Sequence, residues 1–216
     1  MVITKLEHSS FVVESNGYRL AVDIGNRVSD QSFALMGIVS AVLVSHIHPD
    51  HFVIDRLNAM AAPVYTVAQV AELLTETQLK VSVSAIGQTV KIEGTPFTIT
   101  FTESDHGPNV TFPVENAGFI ISVGRKSLWY LGDMFVPLEN TPQESYDVLM
   151  IPVGGKGYTF GPEEAVAYVE RLGWSGVTIP VHYHMWPDGE PAHEVADQLK
   201  GKVDVRILDV GERVEI

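Results

Sequence analysis

The sequence predicts a four-layer α/β/β/α sandwich, in which two mixed β-sheets pack face to face with helices on the outer faces. Segments with strand-like patterning outnumber helical segments, yet helical segments occur in both halves of the chain. No tract rich in Pro, Gly or Ser divides the 216 residues, and no repeat is present. We therefore expect one domain spanning residues 1–216, which is long enough to bury a large core.

The first half begins with short strands and then alternates strand and helix. The Asn16-Gly17 dipeptide predicts a tight hairpin turn. The β-rich run VSAVLVS, residues 39–45, is typical of a strand covered on both faces. In chain order we predict strands in VITKL, FVVES, YRLAVDI, VSAVLVS and PVYTV, helices in FVIDRLNAMAA and VAQVAELLTETQL, and further strands in VSVSAI, TVKI and FTITFTES.

The second half continues with strands separated by two helices. The segment Gly161-Pro162-Glu163-Glu164 opens the first of these, because proline and acidic residues are favoured in a first helical turn. That helix is expected to end near Gly173. We predict strands in AGFIISV, SLWYLGD, DVLMIPV, VTIPVH, VRILDV and RVEI, and a short amphipathic helix in HEVADQLK.

Charge and composition restrict the partners that this chain can bind. The formal net charge is -13, so the surface repels phosphate backbones and anionic lipid, and we expect neither nucleic acid nor membrane as a partner. The start, MVITKLEHSSFVV, lacks the pattern of a signal peptide, and no run approaches the roughly 18 apolar residues of a membrane span. We expect a cytoplasmic protein that acts on a small molecule, and a homo-oligomer stays open.

Four potential metal ligands directly follow the strand predicted at residues 39–45, namely His46, His48, Asp50 and His51. The chain has no Cys, so any metal must be held by His, Asp or Glu. Imidazoles at i and i+2 can face one ion, while the following aspartate and histidine can turn toward a second. Solvated histidines have no reason to cluster behind an apolar strand, and the pattern therefore predicts metal binding.

The string His46-Ile47-His48-Pro49-Asp50-His51 resembles the H-x-H-x-D-H signature of the metallo-β-lactamase superfamily. Further elements stand in the order expected for that family: His106 in ESDHGP, Asp133 in LWYLGD, and His182 in IPVHY. The opening HSSFVVE and Asp23 of LAVDIG resemble the family's first hairpin, so the resemblance covers nearly the whole chain. Among its branches, the sequence is similar to the stand-alone metal-dependent hydrolases related to ascorbate-6-phosphate lactonase.

The resemblance implies a metallo-β-lactamase-like fold around two divalent metal ions, with zinc favoured and manganese or iron as alternatives. The implied ligands are of three kinds: His46, His48 and His106 for one ion, Asp50, His51 and His182 for the other, and Asp133 as a bridge. The implied enzyme is a hydrolase in which a metal-bound hydroxide attacks an ester, lactone or phosphoester bond of a small anionic metabolite. Asp50 would be catalytic, either orienting the hydroxide or carrying a proton to the leaving group.

Four residues are candidates for contacts with the substrate or with the ligands. Asp23 is expected to accept the second N–H of a metal-bound imidazole. His8 and Lys156 are expected to bind a substrate anion, and a buried structural role stays open for His8. His184 competes with His182 as the seventh ligand; we expect His182 to bind metal and His184 to lie nearly 7 Å farther out at roughly 3.3 Å per residue, beside the substrate.

Two alternatives to a hydrolase stay open, a diiron oxidoreductase of the same fold and a non-catalytic metal-binding sensor or scaffold. His48 disfavours the oxidoreductase, because the flavoprotein-linked branch of the family usually has a carboxylate there. The complete ligand set disfavours the sensor. Structural metal sites are usually closed by four protein ligands, whereas seven ligands shared by two ions leave positions for water and substrate.

Overall fold

Two seven-stranded sheets flanked by short helices make up the structure, a computed structural model that describes residues 1–110, 112–141, 146–183, 186 and 188–216. With strands numbered in chain order, the first sheet contains β1 (Val2–Lys5), β2 (Phe11–Ser15), β3 (Tyr18–Val22), β4 (Ala41–Val44), β5 (Val64–Thr66), β6 (Val81–Val83) and β14 (Arg213–Glu215). Their order across the sheet is β14-β1-β2-β3-β4-β5-β6. Pairing is antiparallel from β14 to β3 and parallel from β3 to β6, so the sheet is mixed.

The second sheet repeats this half-antiparallel, half-parallel plan. It contains β7 (Thr89–Lys91), β8 (Thr98–Glu103), β9 (Ala117–Val123), β10 (Lys126–Tyr130), β11 (Val148–Pro152), β12 (Val177–Val181) and β13 (Asp204–Val205). Their order is β13-β12-β11-β10-β9-β8-β7, with antiparallel pairing from β7 to β10 and parallel pairing from β10 to β13. The two mixed sheets confirm the predicted fold class.

Five helices connect these strands in the described part of the chain. They are α1 (Asp30–Met36), α2 (Ile54–Met60), α3 (Ala68–Leu73), α4 (Pro162–Arg171) and α5 (Glu190–Gln198). The first three lie between strands of the first sheet, and the last two between strands of the second. None of the described helices is long and apolar enough to cross a membrane.

The main core lies between the two sheets. Alternate residues of the second sheet point into it: Phe119 and Tyr130 belong to this core, whereas their neighbours Ile120 and Trp129 belong to a second cluster. Phe11 of the first sheet meets Tyr130 across the interface, with ring centroids 5.3 Å apart. The second cluster also contains buried residues of α4 and α5, so these helices cover the outer face of the second sheet.

Several elements differ in extent from the prediction. The helical pattern of residues 67–79 gives a helix only from Ala68 to Leu73. The hydroxyls of Thr75 and Thr77 donate to the carbonyls of Glu72 and Leu74, and such side-chain bonds compete with helix continuation. The segment VRILDV forms a strand only at its first residue, and α5 begins three residues before the predicted segment.

Helix α1 was not predicted. Its only strong start signal is Ser29, whose side chain accepts a hydrogen bond from the Ser32 N–H at 3.1 Å. The helix has seven residues, and such a short segment gives little hydrophobic periodicity.

The strand directions bring the predicted ligands to one edge of the sandwich. Strands β1, β3 and β4 of the first sheet run in one direction, as do β8, β10 and β12 of the second. Every predicted ligand follows the carboxyl end of one of these strands. Loops at the carboxyl ends of parallel strands are the usual place for a ligand site in such sheets.

Candidate metal centre

Eight His and Asp side chains converge at this edge in two groups. Within each group the possible ligand atoms all lie within 4.8 Å of one another. The first donor group is His46, His48, His106 and Asp133, and the second donor group is His8, Asp50, His51 and His182. Each group takes residues from loops of both sheets.

The first donor group has the spacing expected around one ion. His48 Nδ1 lies 3.0 Å from His46 Nε2 and 3.2 Å from His106 Nε2. Oδ2 of Asp133 lies 3.8 Å from His46 Nε2 and 3.6 Å from His106 Nε2. Zinc–nitrogen bonds of about 2.0–2.1 Å in a tetrahedron place ligand atoms roughly 3.3 Å apart, so these four side chains fit a single zinc ion.

The second donor group is equally compact. His8 Nε2 lies 3.1 Å from Asp50 Oδ2, and the rings of His8 and His182 have centroids 4.0 Å apart. His51 is fully buried beside them, with its ring centroid 5.3 Å from that of His8. The sequence had suggested a substrate contact for His8, and its ring nitrogen stands instead among the donors of this group.

Asp133 connects the two donor groups. Its Oδ2 lies near the first group and also 2.9 Å from His182 Nε2, while its Oδ1 lies 3.2 Å from His51 Nε2. Oδ1 of Asp133 and Nε2 of His51 are buried, and neither has a hydrogen-bond partner among the described residues. Buried polar atoms normally have partners, so these two facing atoms require either a proton or a bound cation between them.

Burial keeps several imidazoles in the neutral form that a metal requires. Burial is the main cause that holds the pKa of His46 well below its usual value, and it also lowers the pKa of His48. Burial and the charge of His182 lower the pKa of His8 to about 3. A neutral imidazole has a lone pair available for a metal ion.

Asp133 and His51 form a charged pair in the protein without metal. Burial alone would raise the pKa of Asp133, but the charges of His182 and His51 hold it well below its usual range. Burial would likewise lower the pKa of His51, but the charges of Asp133 and Asp23 raise it well above its usual value. A cation bound here would replace the Nε2 proton of His51, which faces Asp133, while the Nδ1 proton would stay with Asp23.

Asp23 and Ser45 contact the Nδ1 atoms of the His51 and His46 rings, on the side away from the donor groups. Oδ2 of Asp23 lies 2.9 Å from His51 Nδ1, and it accepts the hydroxyl of Ser45 at 2.7 Å. The Ser45 hydroxyl also lies 2.9 Å from His46 Nδ1. With Nδ1 of both rings in this network, Nε2 of both faces the donor groups, which is the arrangement that metal-binding histidines usually have.

The backbone around the site adopts uncommon conformations. His8, Asp23 and His182 have φ angles of 58°, 51° and 62°, which L-residues rarely adopt and which cost of order 1 kcal/mol each. The positive φ of His182 ends the extended geometry directly after β12. His184 lies outside the described residues, so the choice between it and His182 rests on the position of His182 alone.

Two glycines allow loops to pack against the ligand backbone. A Cβ atom at Gly25 would lie 2.0 Å from the carbonyl carbon and oxygen of Asp50, and one at Gly154 would lie 2.0 Å from the carbonyl oxygen of His182. Neither position could carry a side chain without displacement of the backbone. The ligands are therefore supported from behind by closely packed main chain.

A pocket of about 220 Å³ opens onto the donors and is lined by five of them together with Arg27 and Tyr158. The sequence had singled out neither Arg27 nor Tyr158, because no local pattern marks them. Lys156, which had been expected to contact substrate, does not line this pocket; its Nζ lies 4.5 Å from the centroid of the Trp186 ring. Asn116 was also missed, and its Nδ2 donates to the Asp133 carbonyl at 3.1 Å.

Comparison with known proteins agrees with this fold. Residues 2–182 match the family model described as "Beta-lactamase superfamily domain". The chain is 30% identical over 227 residues to a protein of Deinococcus radiodurans named "UPF0173 metal-dependent hydrolase", with 99% of both chains covered. Igni18, a "novel metallo hydrolase" from Ignicoccus hospitalis, is 22% identical with a TM-score of 0.79, covering 99% of this chain and 97% of that chain. The metallo-β-lactamase fold protein YhfI from Bacillus subtilis is 20% identical with a TM-score of 0.77, covering 99% of each.

The fold and the paired donor groups define this protein as a metal-dependent hydrolase of the metallo-β-lactamase type. The chain belongs to the beta-lactamase superfamily.

Proposed function

We propose that the protein is a dinuclear hydrolase that cleaves an ester, lactone or phosphoester bond of a small anionic metabolite. The observation that carries this proposal is the pair of four-residue donor groups, which Asp133 of the first group connects and which open into one pocket. The pocket has a volume of about 220 Å³, which is smaller than the pockets that usually bind drug-sized ligands, and this supports a small substrate.

The donor set supports zinc, with manganese or iron as alternatives. Imidazole suits zinc and iron, while carboxylate also suits manganese. When bound, two such ions would lower the pKa of a coordinated water and draw charge from the bond under attack. The first donor group would hold one ion, the second donor group the other, and Asp133 would contact both.

Asp50 is the proposed catalytic residue. Its side chain is 26% exposed and lines the pocket, so it can reach both the second donor group and a bound substrate. Burial alone would raise the pKa of Asp50, but the contact with His8 and the charge of His51 hold it far below its usual range. The ionised carboxylate would either orient the attacking water or carry a proton to the leaving group.

Metal analysis and a hydrolysis screen test the proposal. We expect about two equivalents of metal per chain and hydrolysis of small anionic esters, phosphodiesters or lactones, the last included because the sequence resembles the lactonase branch. Asp133→Asn should lose metal and nearly all turnover, because Asp133 contacts both groups. Asp147→Asn is the control, since this carboxylate pairs with Lys126 at 3.1 Å outside the site. A wild-type protein that takes up no metal, or a metal-loaded one that cleaves nothing, would contradict the proposal.

A further inference from the structure

Arg27 is a pocket residue for which the proposed chemistry provides no role. It lies in the loop between β3 and α1, and its side chain is exposed. Of the described residues that line the pocket, it alone is an arginine or lysine. Its neighbours in the lining include His48 and Asp50, one from each donor group.

The guanidinium of Arg27 has no ion pair or hydrogen bond among the described residues, although acidic residues outnumber basic ones by 27 to 14. Most other arginines have a partner among the described residues, for example Arg19, whose Nε lies 2.8 Å from a carboxylate oxygen of Glu14; Arg125, in an exposed turn away from the pocket, is the exception. The two acids that line the pocket have other contacts: Asp50 lies 3.1 Å from His8 Nε2, and Asp133 lies 2.9 Å from His182 Nε2. The five donors of Arg27 are therefore available to a ligand.

The loop that carries Arg27 is fixed to the metal-binding loop. The Asn26 N–H donates to the Pro49 carbonyl at 2.8 Å, and Gly25 packs directly on the Asp50 backbone. Val28, on the other side of Arg27, is buried. The Cα of Arg27 is thus held at a constant position relative to Asp50, while its long side chain faces solvent at the pocket.

The two other residues expected to bind a substrate anion are differently placed. Lys156 lies over the Trp186 ring and does not line the pocket. His8 is buried, and its Nε2 stands among the donors of the second group, 3.1 Å from Asp50 Oδ2, so this ring is not free to bind a substrate anion. Among the described residues Arg27 is therefore best placed to supply a fixed positive charge to a substrate.

We propose that Arg27 is a specificity-determining residue that binds a carboxylate or phosphate group of the substrate, separate from the bond that is cleaved. A guanidinium suits this role because it is always charged and forms paired hydrogen bonds with planar or tetrahedral oxyanions. The preferred substrates are consequently bifunctional, with a scissile bond at the donor groups and an anionic group within reach of Arg27. This inference rests on the proposed function, because it assigns a binding group for the substrate of that hydrolase.

Calorimetric titration of zinc-loaded protein with two non-hydrolysable probes tests the assignment without any turnover. One probe is 3-phosphonopropionate, and the other is propylphosphonate, in which a methyl group replaces the carboxylate. We expect the wild type to prefer the first, and Arg27→Gln to weaken its binding roughly ten- to a hundredfold while changing propylphosphonate binding less than twofold. Arg27→Lys should recover part of the loss.

Arg125→Gln is the matched control, because Arg125 is an exposed arginine in the turn between β9 and β10, at the opposite end of β10 from Asp133. It should leave both affinities unchanged, and every variant should keep the metal content of the wild type. Equal weakening of both probes by Arg27→Gln, or no preference in the wild type, would overturn the role of Arg27. A protein that shows the preference but hydrolyses nothing would instead contradict the proposed hydrolase and leave the anion site intact.

Discussion

Asp23 joins the two sheets through one buried carboxylate. It accepts from the backbone N–H of Ser45 at 2.8 Å and from its hydroxyl, both at the end of β4 in the first sheet. It also accepts from the hydroxyl of Tyr130 at 2.7 Å, at the end of β10 in the second sheet. Because the same carboxylate contacts His51, the orientation of a donor imidazole depends on this junction.

We predict that Asp23→Asn lowers metal affinity about 10- to 100-fold, because an amide cannot accept all of these hydrogen bonds and leaves the His51 ring less firmly oriented. Competition with a fluorescent chelator measures the affinity. Thr178→Val is the control: it removes a part-buried hydrogen bond from Trp174 at the amino end of β12. That variant should lose stability and keep its metal affinity, and a similar loss of affinity in both would contradict the role of Asp23.

Residues that form a local motif, or that match the motifs of a known family, were predictable, and a residue that only the fold brings to the pocket was not. The His46 to His51 string carries its own signal, because its spacing alone suits metal binding. Arg27 reaches the pocket only because Gly25 packs on the Asp50 backbone, a contact that no pattern in the sequence shows. The roles of the predicted ligands stay predictions until metal binding is measured.

At the scale of elements, the loop between β3 and α1 acts on the site through its backbone. Gly25→Ala would place a Cβ about 2.0 Å from the Asp50 carbonyl, so the two loops must separate. We predict that this variant loses most of the metal held by the second donor group, and elemental analysis should give about one ion per chain instead of two. The Arg27 contribution to anion binding should fall with it.

Gly124→Ala controls for a glycine substitution as such. Gly124 lies in the turn between β9 and β10 with φ of 60°, and a Cβ there would have no neighbour within 4 Å. We expect a loss of about 1–2 kcal/mol from backbone strain, with metal content unchanged. Two full equivalents of metal in Gly25→Ala would show that the loops can separate without affecting the ligands.

Strand elements were predicted better than helices. The buried runs that became β4, β11 and β12 have continuous apolar patterns that determine their position closely. Helix α3 ends early because threonine hydroxyls bond to its last carbonyls, and α1 is too short to show a period. The end of α3 and the short length of α1 thus depend on local side-chain hydrogen bonds and surroundings, which the hydrophobic pattern of the sequence does not show.

At the scale of the whole molecule, each donor group spans both sheets, so a bound ion adds a link between them. We predict that chelation lowers Tm. Binding at a free metal concentration 100 times Kd stabilises by about 2.7 kcal/mol per ion, which corresponds to roughly 5–10 °C for a chain of this size. Differential scanning calorimetry with and without EDTA measures the shift. Asp133→Asn should show little dependence on EDTA, and an unchanged Tm in the wild type would contradict metal binding by the folded protein.

The overall sandwich followed from the sequence because its signal is distributed over many strands, whereas the position of the charge at the pocket depends on one contact. Because the net charge of the chain is -13, the position of the positive charge of Arg27 at the pocket is important for function. Long-range attraction of an anion cannot come from such a surface, so recruitment must act at short range, through the ions and Arg27.

The distribution of donors over the two sheets also has a kinetic consequence. With ions bound, local opening that exposes a loop to solvent would have to break every ligand bond in that loop, and the residues that would hold each ion come from loops of both sheets. In the loaded protein the loops after β4 and β12 can therefore open only together or after an ion departs. Backbone amides of the two loops should then exchange with deuterium at a common rate when metal is present, although the two loops are far apart in the sequence.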